Sequence, residues 1–286
     1  MNTERKTQIK ALITGASTGI GRGLSLRLAK EKAALVLTAR SETALLSLKE
    51  ECQALGARVD IVSGDIADGA LAEKLIETSI SSMGGPNLLV NNAGMARPGS
   101  FEKLSVDDWR RVFEVNFFSA LTLSKLALPH LKEAAGRDGF AKIVNISSVA
   151  GKISFPGSLS YCASKFALTA LSEGLAAEFY KDKIDVITVC PGWVRTEFFE
   201  KNGVPPERNP NKIAAQGNLR GFLMKHLMSI STDECVKDIA RAIFAGGSRE
   251  IILTLPGLFA ERMQGLTPGL MSRIARTIPP NYSKNL

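Results

Sequence analysis

Through residue 190, short apolar runs alternate with longer stretches whose apolar positions recur every three or four residues. The runs at 10–14, 34–39, 57–62, 87–91, 141–147 and 185–190 are too short for helices and largely apolar throughout. A strand buried on both faces reads this way, because neither face is left for water. Between the runs, residues 22–30, 42–55, 69–82, 105–134 and 159–181 carry helical spacing. A helix at 232–246 and a strand at 250–254 resume the order further on. Strands joined through helices run parallel, with the helices covering both faces of the sheet. The pattern therefore predicts an α/β fold, a doubly wound parallel sheet of about seven strands in a single domain over 1–255.

Two stretches fall outside the alternation. Residues 193–231 contain Trp193, Phe198, Phe199, Pro205, Pro206, Pro210, Phe222, Leu223, Leu227 and Met228. Long insertions in compact domains tend to be lids or binding loops. A helical lid is expected here, with a helix near 212–229 and an apolar inner face. Residues 256–286 place Leu258, Phe259, Met263, Leu266, Leu270, Met271 and Ile274 near helical spacing, interrupted by Pro268. Arg262, Arg273, Arg276 and Lys284 are interspersed among them. This C-terminal amphipathic extension is expected to pack on the domain or a partner subunit, to cover the pocket, or to touch a membrane surface.

Composition removes several classes of chemistry. Hydrophobic residues make up 45% and charged residues 22%, ordinary for a globule with a full core. The net charge of +8 is dispersed, which describes a solvated basic surface and no nucleic-acid stripe. Four scattered cysteines (Cys52, Cys162, Cys190, Cys235) and two histidines (His130, His226) leave little for a zinc site or a Ser-His-Asp triad. No metal is expected. Residues 1–10 are charged and lack the apolar core of a signal peptide, and no stretch approaches the ~18 apolar residues of a membrane span. A cytoplasmic location is expected, with peripheral membrane contact confined to the tail.

The chemistry-bearing residues gather at the predicted carboxyl ends of strands. Gly15-Ala16-Ser17-Thr18-Gly19-Ile20-Gly21 sits between a strand and a helix. Glycines in that context allow a tight turn and close backbone approach to a pyrophosphate, while the helix N-terminus supplies N–H donors. At the end of the second strand an NAD site would carry a carboxylate for the ribose hydroxyls. Ala39 and Arg40 stand there instead, and a guanidinium suits a 2′-phosphate. The expected cofactor is NADP(H). Asp65, Asn91 and Ser148 also fall at or just past strand ends. Tyr161 and Lys165 lie four apart on a predicted helix and so share a face. A cation beside a phenol favours its ionised form, and Lys165 is expected to lower the Tyr161 pKa.

These motifs, in this order and spacing, resemble the short-chain dehydrogenases/reductases over about residues 8–254. The matching residues are 14–21 (Thr-Gly-Ala-Ser-Thr-Gly-Ile-Gly), 91–94 (Asn-Asn-Ala-Gly), Asn116, Ser148, 161–165 (Tyr-Cys-Ala-Ser-Lys) and Pro191-Gly192. The wording around Tyr161 looks like that of hydroxysteroid and retinoid members. The resemblance implies a Rossmann-like fold and a catalytic set of Asn116, Ser148, Tyr161 and Lys165. In that set Tyr161 exchanges a proton with the substrate oxygen and Ser148 hydrogen-bonds it. Lys165 also holds the nicotinamide ribose, and Asn116 holds a water for proton relay. Strand alternation turns Ser147 to the other face, which favours Ser148.

For the cofactor, the resemblance assigns Gly15, Gly19, Ile20 and Gly21 to the phosphates, and Asp65 with Ile66 to adenine. Asn91 falls to the adenosine ribose side, and Ala93 and Gly94 are counted with the cofactor contacts. Pro191, Gly192, Val194 and Thr196 fall to the nicotinamide. Ser17 and Arg40 are the expected 2′-phosphate contacts, with Thr18 beside them. NADP-preferring members often carry Lys or Arg where Thr18 stands, so the cofactor choice rests mainly on Arg40. The implied reaction interconverts a small hydrophobic ketone and its secondary alcohol, as a carbonyl reductase, on a lipid-like, steroid-like or polyketide-like substrate. An NAD-dependent alcohol or hydroxysteroid dehydrogenase and a non-catalytic nucleotide-binding regulator are the alternatives. A homodimer or homotetramer through the 105–134 and 159–181 helices is the implied assembly.

Overall fold

The computed structural model describes residues 7–204, 206–270 and Arg273. Expectations at Pro205, Met271, Ile274, Arg276 and Lys284, and at residues 1–6, lie outside the described residues. In chain order, β1 (Lys10–Thr14), α1 (Gly19–Ala29), β2 (Ala34–Ala39), α2 (Glu42–Ala54), β3 (Arg58–Ser63) and α3 (Gly69–Met83) build the first half. Then come β4 (Leu88–Asn91), α4 (Val106–Phe113), a π turn (Glu114–Phe118), α5 (Ser119–Asp138), β5 (Lys142–Ile146), α6 (Leu159–Glu178) and β6 (Asp185–Cys190).

The lid region starts with β7 (Trp193–Arg195), continues as α7 (Phe198–Lys201), α8 (Pro210–Ala214), α9 (Leu219–Leu223) and a π turn (Met224–Met228), and ends on β8 (Ser229–Ser231). The chain then forms α10 (Thr232–Phe244), β9 (Arg249–Ile252) and α11 (Leu255–Leu266). Seven strands form one parallel sheet in the order β3-β2-β1-β4-β5-β6-β9, and β7 with β8 makes a separate parallel pair.

Successive side chains of each central strand go to opposite faces, and both faces are buried. From β1, Ala11 and Ile13 join one core with Leu24, Leu28 and Ile239, while Leu12 joins the other with Leu75 and Leu123. The strand order reverses beside β1, which pairs with β2 on one side and β4 on the other. The loops after β1 and β4 diverge there and leave a crevice outside the carboxyl ends of the strands.

Three helices differ from their predicted form. The first begins at Gly19 rather than at residue 22, so the glycine turn runs directly into α1. The stretch expected as one helix at 105–134 contains the π turn at Glu114–Phe118 with Asn116 at its centre, and continues to Asp138. The helix expected near 212–229 is broken into three pieces. Asn218 starts a new helix there, its side chain accepting from Gly221 N at 2.9 Å, and this local bond ends the preceding turn.

In the tail, α11 buries only Gly257 against Val149, while Leu258 and Phe259 remain exposed. Its first turn closes on the cleft wall through Pro256 and Gly257. Among the described residues no helix is long and apolar enough to cross a membrane, and no cluster of metal-ligating residues occurs.

Candidate functional site

The crevice after β1 and β4 is held open by buried polar side chains. Thr14 Oγ1 accepts from the backbone N–H groups of Asn92 and Ala93 at 3.0 and 2.9 Å. Asn92 Nδ2 donates in return to the carbonyls of Thr14 and Gly15 at 2.9 and 3.0 Å. Gly15 has a φ of +63°, and a Cβ on it would stand 2.9 Å from the Ala93 backbone. Only glycine meets both demands. Past the turn, Thr18 is the N-cap of α1, yet its hydroxyl caps no N–H of the first turn, and that turn holds no acidic residue. The donors at this helix end therefore face the crevice with no cap from Thr18 and no acidic residue in the first turn.

The crevice is a cleft of about 2640 Å³, large enough for a dinucleotide and a second molecule together. Gly15, Ser17, Thr18, Gly19 and Ile20 line its middle; Arg40, Asp65 and Ile66 line one end. Ala93, Gly94, Ser148, Tyr161, Lys165, Pro191, Gly192, Val194 and Thr196 line the rest. Thr38, on the same wall, has a buried hydroxyl with no hydrogen-bond partner among the described residues. Uncapped helix donors, a close-packed glycine turn and an unsatisfied hydroxyl fit a dinucleotide.

Three predicted contacts are not on that wall. Gly21 faces Gly15 O and Asn92 Nδ2, where any Cβ would overlap both, so its lack of a side chain lets the turn pack against the loop after β4. Asn91 is in the strand, in register with Asn145, and its side chain points into the sheet. Its Nδ2 donates to Asn145 Oδ1 at 2.8 Å and to Ser124 Oγ at 3.3 Å, which ties the side chain to β5 and α5. Asn116 is also turned inward by the π turn. Its Oδ1 accepts from Met95 N at 2.8 Å, and its Nδ2 donates to Met95 O and Ser164 Oγ at 2.9 Å. These bonds hold the β4 loop and α6 together and occupy both polar atoms of the Asn116 side chain.

The other end of the cleft carries an acid–base group. Ser148 is extended; its hydroxyl accepts from Ala150 N at 3.0 Å, capping a short turn, reaches Pro191 O at 3.5 Å, and lines the same wall as Tyr161. Ser147 instead bonds Lys165 O and Thr169 Oγ1 on α6, at 3.1 and 2.7 Å. Lys165 is buried, donates to Ile146 O at 2.8 Å, and its Nζ lies 5.8 Å from the Tyr161 ring centroid.

Burial pushes the Tyr161 phenol up to about 12, with the Ser148 hydrogen bond partly offsetting it. Burial pushes Lys165 down to about 8. Desolvation of the phenolate is the largest cause and sets the net direction of the Tyr161 shift upward, beside whatever the Lys165 ammonium contributes.

Electrostatics at the Asp65 end of the cleft involve a residue that the sequence does not announce. Arg111, on α4, pairs with Asp65. Burial works against charge on Asp65, but the Ala67 amide and Arg111, with Arg40 nearby, hold its carboxyl below the usual range. Lys201 was also missed. It reaches from α7 to Thr18 Oγ1 at 3.2 Å across 183 residues of sequence, and no local pattern announces it. Asn92 was visible in the motif at 91–94, without an indication that it, and not Asn91, faces the turn.

Comparison with known proteins agrees with this architecture. A family model described as short chain dehydrogenase matches residues 10–205. An uncharacterized oxidoreductase of Methylorubrum extorquens is 34% identical over 72% of this chain and 81% of its own length. The 2,5-dichloro-2,5-cyclohexadiene-1,4-diol dehydrogenase LinX of Sphingobium indicum is 32% identical over 69% of this chain and 76% of its own. SadH of Mycobacterium tuberculosis, whose name places it among the oxidoreductases, is 30% identical over 96% of this chain and 95% of its own. A parallel seven-stranded sheet, a glycine turn feeding α1 and these relatives lead to one conclusion: the chain belongs to the short-chain dehydrogenase/reductase family, whose oxidoreductases use a nicotinamide cofactor.

Proposed function

We propose that this protein is an NADP(H)-dependent oxidoreductase that reduces an apolar ketone to its secondary alcohol, with Tyr161 as proton donor. The observation that carries the reading is that Ser148, Tyr161 and Lys165 meet on one wall of the cleft that also contains the glycine turn. Gly15, Gly19 and Ile20 would hold the cofactor phosphates, and Arg40 the 2′-phosphate. Pro191, Gly192, Val194 and Thr196 would hold the nicotinamide. When bound, the cofactor supplies the hydride that a carbonyl carbon accepts.

The chain's own residues handle the proton. With its pKa near 12, Tyr161 is a neutral phenol at pH 7, the form that gives a proton to a carbonyl oxygen. Ser148, on the same wall of the cleft, would bond that same oxygen. Lys165, with a pKa near 8, is mostly cationic at pH 7 and stabilises the negative charge left on Tyr161. That stabilisation exists only once the proton has left, so it lowers the barrier rather than tightening substrate binding. Phe155, Phe198, Leu223, Met224 and Leu227 line the adjoining cleft and favour an apolar substrate.

A dehydrogenase working in the oxidative direction is the second reading, favoured by the name of the diol-dehydrogenase relative. That direction needs Tyr161 as a base, which burial opposes. The test is NADPH consumption against a panel of apolar ketones, beside cofactor binding followed by fluorescence. Tyr161→Phe should reduce turnover on the order of 10³-fold while leaving NADPH binding intact. Turnover retained by that variant would remove the proton-donor assignment.

A further inference from the structure

We infer that Lys201, carried by the lid, is a ligand to a cofactor phosphate; the inference rests on the nicotinamide reading above. Thr18 caps α1 without using its hydroxyl on the helix, and that hydroxyl accepts instead from Lys201 Nζ at 3.2 Å. The ammonium is thus brought over the end of a helix whose first-turn donors are uncapped by any side chain. Its other partner is Glu197 on the same short helix, at 2.9 Å, in a pair exposed on both sides and so weakly held. A phosphate at the glycine turn offers Lys201 a stronger, charge-assisted partner than the Thr18 hydroxyl.

The segment bearing Lys201 touches the chemistry as well. Phe198 packs on Tyr161 with ring centroids 5.9 Å apart. Asn202 accepts from Ala96 N at 2.6 Å and donates to Phe198 O at 2.7 Å, which pins the helix to the loop after β4. One turn of lid therefore spans the phosphate turn and the proton donor. Lys201 is a binding residue for the cofactor, and through Phe198 its seating positions the lid over Tyr161.

The experiment measures dissociation constants of NADPH, NADH and ADP-ribose for the full chain, by fluorescence or calorimetry, at low and high salt. Lys201→Gln should weaken binding by about tenfold at low salt and flatten its salt dependence, whereas Lys201→Arg should keep both near the wild type. Loss confined to NADPH identifies the 2′-phosphate as the partner, and equal loss for all three ligands identifies the diphosphate. Unchanged constants for Lys201→Gln, with the unaltered protein binding normally, would overturn the inference alone. No binding of any of the three by the unaltered protein would overturn the nicotinamide reading and this inference with it.

Discussion

At the carboxyl ends of β1 and β4 the backbone is held by side chains buried in the sheet, whereas the lid across the cleft is held largely by itself. Thr14 and Asn92 lock the glycine turn from within, and the Asn91–Asn145–Ser172 chain of hydrogen bonds ties β4, β5 and α6 together. The lid is three short helices and a π turn between β7 and β8, closed at its base by Arg195, which bonds Ser229 Oγ at 2.8 Å and Lys225 O at 3.0 Å. Leu219, Phe222 and Leu227 remain exposed on it. The glycine turn is fixed because loss of Thr14 Oγ1 or the Asn92 amide would leave its backbone partners unpaired. The lid can vary its apolar face at little cost to folding, so substrate choice can change without disturbing the cofactor site.

The sharpest test of that contrast is a cavity in the sheet's packing. Leu123, fully buried on α5, should cost about 2–5 kcal/mol on truncation to alanine, measured by denaturant unfolding. A loss below about 1 kcal/mol would mean the scaffold is not the rigid partner.

Next comes the buried cation. The folded-state pKa of Lys165, about 8, lies below its ordinary value of 10.5. As pH rises between those values the unfolded chain binds more protons than the folded one, so this group's contribution to stability increases with pH. Relative to a Lys165→Met variant, the wild type should gain stability from about pH 8 to 10.5 and show no such trend below 8. Reductive kcat/KM should move the opposite way, falling above about pH 8 as Lys165 loses its charge. A flat melting-temperature difference across that window would count against the desolvated ammonium.

A smaller effect is expected at the far end of the cleft. Arg40 is exposed on the wall after β2 and faces Asp65, so its charge acts through partial solvent screening. Arg40→Asp should shift the NADP/NAD preference on the order of tenfold toward NAD(H), with folding unaffected. An unchanged ratio would transfer 2′-phosphate recognition to Ser17 and Lys201.

How much of this was legible in the sequence follows the same division. Strands at 10–14, 34–39 and 185–190 occupy the residues their apolar runs indicated, because a strand buried on two faces has no polar position to blur its ends. Tyr161, Ser148 and the glycine turn were readable for a related reason: each sits at a strand end or a helix start, where local spacing sets direction. The lid helix near 212–229 was misread because apolar spacing alone carries no sign of Asn218 capping a fresh helix. The inward turn of the Asn116 and Asn91 side chains is not readable from the sequence, because a π turn and the facing of a strand's last residue are settled by packing, not by spacing. The net direction of the Tyr161 pKa is set by burial, which spacing does not show. A sequence shows that a lysine is one turn away, but not how completely both groups are removed from water.

The smallest expected effect tests the lid from its own side. Leu219 lines the cleft yet is 72% exposed, so its side chain contributes little to folding in the free protein. Leu219→Ser should change unfolding free energy by no more than about 0.5 kcal/mol. If an apolar substrate covers this residue on binding, the same change removes apolar contact made only in the complex. KM for an apolar ketone should then rise by about fivefold with kcat nearly constant, since the contact is equal in ground and transition states. A fall in kcat with KM unchanged would instead assign the lid to the chemical step, and the separation between rigid wall and adaptable cover would fail.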